Sequence, residues 1–98
     1  MKREREESLE DRSVRRAEEV GALALKLIPI GFRGFPDRTI LWMGQVAFVE
    51  FKRPDGSGKV AAQQSRWHDM LRRAGFLVYL VETDDEFTGI LNLMELGR

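Results

Sequence analysis

Arg38-Thr39-Ile40-Leu41-Trp42-Met43-Gly44-Gln45-Val46-Ala47-Phe48-Val49-Glu50-Phe51-Lys52-Arg53 decides the architecture of this 98-residue chain. Two runs rich in β-branched and aromatic side chains flank a glycine, the pattern of an antiparallel hairpin. The spacing predicts one strand from Arg38 to Met43, a turn at Gly44-Gln45 and a second strand from Val46 to Arg53. Side chains alternate along a strand, so Val46, Phe48, Glu50 and Lys52 share one face while Ala47, Val49 and Phe51 share the other. Counted outward from the turn, Asp37 or Arg38 falls opposite the stretch from Glu50 to Lys52.

Downstream, Pro54 to Gly58 reads as a loop, and Val60 to Ala74 as a helix that buries Trp67, Met70, Leu71 and Ala74 and stops at Gly75. Phe76 to Val81 is almost wholly apolar, as expected of a strand covered on both faces. Asp84 to about Met94 reads as a short terminal helix. Upstream, residues 29 to 37 form a loop punctuated by Pro29, Gly31, Gly34 and Pro36, preceded by a first strand from Leu23 to Ile28. Leu9 to Val20 has the helical period, with Leu9, Val14, Ala17 and Val20 on one face. Glu10 projects into that same face, where a carboxylate is costly unless it is paired or binds a metal. The order gives an α/β fold: a small mixed β-sheet of about four strands flanked by helices, with a parallel crossover between Val46 and Val81. No repeat or second composition divides the chain, so residues 1–98 are expected to form a single domain.

Composition narrows the function. Apolar residues make up 43% and charged residues 33%, an ordinary globular balance, and no apolar run approaches the ~20 residues of a membrane span. The charged N-terminus has no apolar run behind it and does not read as a secretory signal, so a cytoplasmic setting is expected. The absence of cysteine excludes disulfides, thiolate zinc sites and cysteine nucleophiles. Sixteen basic and sixteen acidic residues leave zero net charge, so nucleic acid could be held only by cations gathered on one face or with metal ions neutralising an acidic site. Gly56-Ser57-Gly58-Lys59 is no ATP loop, because Arg53 and Val60 stand where such a loop needs glycine and Ser or Thr. No nucleotide cofactor is expected.

What remains is the chemistry of the hairpin. Asp37 and Glu50 are hard oxygen ligands suited to Mg²⁺ or Mn²⁺, and the carbonyl of Phe51 is a third. Lys52 is a cation for a phosphate or an attacking water, and Glu10 can complete the site through a water or a second metal. Taken alone, Glu50 and Lys52 could be an exposed strand ion pair; the Gly34-Phe35-Pro36-Asp37 turn and the inward Glu10 argue for a site. Gln63 and Gln64 both fall beside the apolar face of the second helix, and periodicity does not choose between them. Trp67 reads as core, and His68, the lone histidine, as structural or solvated. Lys26, Arg33, Arg38, Arg53 and Lys59 can line a basic rim for a DNA backbone, although each singly reads as solvated charge.

Taken in order, Glu10, Leu23-Ala24-Leu25-Lys26, Gly34-Phe35-Pro36-Asp37-Arg38, Val49-Glu50-Phe51-Lys52, Gln64 with Trp67, Leu71 and Gly75 resemble the virus-type replication-repair nuclease (VRR-NUC) domain of the PD-(D/E)xK superfamily. The resemblance covers most of the chain. It implies a restriction-endonuclease-like core and catalytic roles for Glu10, Asp37, Glu50, Lys52 and Gln64, and it selects Gln64 over Gln63. It also implies a metal-dependent DNA endonuclease of a bacterial or phage-infected cell, resembling homodimeric resolvases of branched DNA. A less selective nickase or end-trimming nuclease, or an inactive DNA- or partner-binding relative, would share the fold. For a dimer interface the candidates are Phe32, Phe35 and Trp42, each of which could instead be core.

Overall fold

The computed structural model describes residues 7–30, 33–52 and 62–97. Helix α1, Leu9–Glu19, opens on a capping box in which the Ser8 hydroxyl accepts from the Asp11 N–H at 3.0 Å and the Asp11 carboxylate accepts from the Ser8 N–H. Its four-residue spacing turns Leu9, Ser13 and Ala17 inward, while Val20, expected on that face, is exposed. Strand β1, Leu23–Leu25, is three residues shorter than its apolar run. Its partner β2, Arg38–Trp42, begins only after Pro36, which has no N–H to give a ladder.

The hairpin pairs β2 with β3, Gln45–Phe51, and its turn is Met43-Gly44, one residue earlier than the expected Gly44-Gln45. Both turn residues have positive φ, 54° at Met43 and 71° at Gly44, the left-handed pair that matches the twist of the strands. The consequence reaches the far end of the hairpin. Trp42 pairs with Gln45 and Arg38 with Val49, so Asp37 comes across from Glu50.

Helix α2, Ala62–Arg73, leads to β4, Leu77–Val81, which runs parallel to β3. The sheet order β1-β2-β3-β4 makes β4 an edge strand. It is still covered on both faces as expected, since Val78 and Val81 point to opposite sides and are both buried, with α2 over one and α3 over the other; only Phe76 and Leu77 at its start are open to solvent. A capping box at Thr83 and Glu86 starts α3, Asp84–Leu96.

Helices α1 and α3 cover one sheet face, enclosing Ala17, Ile40, Val49, Phe51, Val81, Phe87 and Met94. Trp42 packs against that cluster. The opposite face lies under α2, whose inward residues are Gln64, Trp67, His68 and Leu71; Met70 and Ala74, expected inside, are exposed. Edge-to-face rings join the layers, with Phe35 5.0 Å from Trp67 and 5.5 Å from Phe48, and Phe48 5.6 Å from Phe76.

Candidate active site

Gly34 sets the approach of the loop that carries Asp37. Its φ of +85° suits glycine, and a Cβ there would lie 2.8 Å from both the Gln63 carbonyl carbon and the Gln64 nitrogen. The loop therefore rests directly on the first turn of α2. Phe35 is held between Trp67 and Phe48, Pro36 is fully buried, and Asp37 follows at the mouth of the hairpin. Asp37 Oδ2 accepts a hydrogen bond from the Phe51 N–H at 2.9 Å.

Glu50 is 7% exposed and faces α2. Its Oε2 accepts from Gln64 Nε2 at 2.8 Å, while Oε1 is buried with no hydrogen-bond donor. Gln63, one residue away, is exposed and contributes its backbone to the seat of Gly34. Burial, and then the neighbouring Asp37 carboxylate, push the Glu50 carboxyl up to about 7. Two carboxylates forced together out of water need a proton or a cation between them. The bare Oε1, the adjacent Asp37 and the hard-oxygen donor set fit Mg²⁺ or Mn²⁺. Among the described residues no group of three or more acidic, histidine or cysteine side chains converges, so the two carboxylates are the side-chain part of such a site.

Lys52 follows Glu50 on the same strand face but turns to Glu82, with Nζ 3.1 Å from Oε1 in a pair open to solvent. The two residues lie just past the last parallel partners, Phe51 and Val81, and the Lys52 N–H bonds Val81 O at 2.9 Å. Only the parallel ladder brings Glu82 there, so no local signal in the sequence marks it. Glu10 is separated from the Asp37–Glu50 pair by the sheet. It faces the layer as expected, but its Oε2 takes Arg38 Nε at 2.6 Å, and Arg38 lies on the Val49 face. That pairing explains why a carboxylate is tolerated there, and it withdraws Arg38 from the expected basic rim. Lys26 and Arg33 do line a groove with Leu27, Ile28, Phe35 and Asp37. Arg53 and Lys59 lie outside the described residues, as does Phe32.

His68, read as structural or solvated, is structural in its burial. One turn beyond Gln64, it is 3% exposed, and burial followed by the Arg72 charge push its imidazole down against the opposing pull of Asp69 and Asp37.

No protein-family model matches the chain. It is 35% identical over 82 residues to a curated protein of Acyrthosiphon pisum secondary endosymbiont phage 1 named "Putative nuclease p44", covering 83% of this chain and 86% of the relative. A solved structure described as a VRR_NUC domain superposes with a TM-score of 0.74 at 28% identity, over 86% of this chain and 90% of that one.

Proposed function

This chain belongs to the VRR-NUC nuclease family, and we propose on that footing that it is a divalent-metal-dependent DNA endonuclease, selective for branched DNA and working as a homodimer inside a bacterial or phage-infected cell. The observation that carries the reading is the meeting of Asp37, Glu50 and Gln64: a carboxylate raised by burial and then by its acidic neighbour, and braced by one amide. A protein that only bound DNA would gain nothing from opposing carboxylates beside the phosphates.

Asp37, Glu50 and the carbonyl of Phe51 would hold Mg²⁺ or Mn²⁺, which when bound supplies Lewis acidity toward the phosphodiester and acidifies a water. The protein's own groups fix the rest. The Phe51 N–H orients Asp37, and the Gln64 amide holds Glu50 by Oε2, keeping Oε1 for the cation. Water attacks phosphorus, the bond to the leaving sugar oxygen breaks, and that oxygen takes up a proton. Lys52 exchanges its exposed partner Glu82 for the phosphate, a cheap exchange because such surface pairs contribute little. There it offsets charge that builds as the new bond forms. Glu10 acts through Arg38, which adjoins Asp37 in the chain and anchors the start of β2. Lys26 and Arg33 receive the DNA backbone.

The test incubates the purified protein with labelled four-way junctions, flaps and linear duplex in Mg²⁺, Mn²⁺ or EDTA. Cleavage is expected with either metal and none in EDTA, and Asp37→Ala, Glu50→Ala and Lys52→Ala should each lower the rate roughly 10²-fold or more. An Asp37→Ala protein cutting at the wild-type rate overturns the site; equal cutting of junction and duplex leaves only an unselective nickase.

A further inference from the structure

We propose that Ile28 and Ile30 form an apolar wedge that packs against unpaired bases next to the scissile phosphate, so that local unpairing of the DNA selects where the chain cuts. The inference rests on the nuclease reading above and concerns what that site prefers. Ile30 is 96% exposed, Ile28 76% and Leu27 44%, a run of exposed apolar residues on the loop after β1. Single exposed apolar residues are ordinary; a run of them beside a charged groove is not.

The position of the ridge identifies its occupant. Leu27 and Ile28 wall the groove that ends at Asp37, and Lys26 and Arg33 line the same groove. Cations in a groove leading to a pair of carboxylates suit a phosphate backbone that runs toward a cation held between those carboxylates. The apolar wall must then meet what hangs from that backbone. In matched duplex the base faces are hidden in the stack, and the ridge would meet only sugar, phosphate and water. At a branch point, bubble or frayed end a base face is open, and isoleucine, leucine and proline are side chains that proteins lodge against unstacked steps. Pro29, between the two isoleucines, has a locked φ, so less conformational freedom is lost when the ridge docks.

The experiment uses the full chain with Mn²⁺ on a labelled matched duplex and on the same duplex carrying a short unpaired bubble. Wild type should cut the bubble in preference. The double variant Ile28→Ser with Ile30→Ser should lower the bubble-to-duplex ratio about tenfold, and Ile28→Leu with Ile30→Leu should restore it. In parallel, 2-aminopurine placed in the last pair beside the bubble should brighten when wild type binds in Ca²⁺, a readout that needs no variant to fold. An unchanged ratio in the serine variant, no brightening with wild type, or equal cutting of bubble and duplex overturns the wedge and leaves the nuclease reading standing. A wild type that cuts neither DNA overturns both. If light scattering shows that the serine variant loses a dimer that wild type forms, the ridge belongs to a second copy and the wedge is overturned.

Discussion

Gly34 and Glu50 show how single residues carry this site. Any side chain at Gly34 would press on the backbone of Gln63 and Gln64, which cannot give way without moving α2, and positive φ adds strain of its own. Gly34→Ala is therefore expected to destabilise the fold by about 2–4 kcal/mol and to displace Gln64 from Glu50, with the loss visible in urea melts. Glu50 acts through its proton. Its folded value of about 7 lies above the ordinary 4.5, so the metal-free folded state holds a proton that the unfolded chain releases. The stability linked to that proton is complete below about pH 4.5 and is lost as pH rises through about 7. Without metal, the melting temperature should fall by several degrees between about pH 6 and about pH 8, and Glu50→Gln or added Mg²⁺ should flatten that decline. Thermal melts in EDTA across that range provide the check; an equal decline in Glu50→Gln would assign it to another group.

At the scale of elements, the hairpin and α2 divide the work. The turn at Met43-Gly44 sets the register, and the register sets Asp37 against Glu50. Methionine is a poor choice for φ 54°, where asparagine or glycine would sit more easily. Met43→Asn should stabilise the protein by about 0.5–1 kcal/mol without changing cleavage, measured by thermal melting and by turnover on one junction. Helix α2 holds the Asp37 loop through Phe35, whose ring meets both Trp67 and Phe48. Those contacts hold Phe35 within the protein, and Trp42, partly buried, packs against the core, the alternative left open for both residues. Phe35→Ala should cost about 3 kcal/mol, and the activity of the folded fraction should fall with it because the loop loses its clamp.

For the whole molecule, zero net charge makes metal the expected switch for DNA binding. Without a cation, Asp37 and the ionised fraction of Glu50 repel phosphate, and Lys26 and Arg33 give the groove limited attraction. Calcium accepts the same oxygens with looser geometry, so it should support binding while cutting stays near background. Fluorescence anisotropy of a labelled junction in Ca²⁺ and in EDTA, at equal ionic strength, tests this. Tighter binding in EDTA would contradict it. Among the described residues no helix is long and apolar enough to cross a membrane.

Element order, the hairpin and the approach of Asp37 to Glu50 were legible in the sequence, because strand alternation, glycine and proline punctuation and motif spacing are local properties of the chain, whereas periodicity left Gln63 and Gln64 open. The strand boundaries were not, since a ladder ends where its partner ends: β1 stops at Leu25 because β2 begins at Arg38. Long-range pairing also decided what the charged residues do. Glu10 was correctly read as an inward carboxylate, but only the packing of α1 against β2 supplied Arg38 as its partner. Lys52 meets Glu82, 30 positions away in the sequence, because β3 and β4 run parallel and end together. Which oxygen of Glu50 stays bare depends on how closely α2 approaches the sheet, a distance that Gly34 permits but that no periodicity encodes.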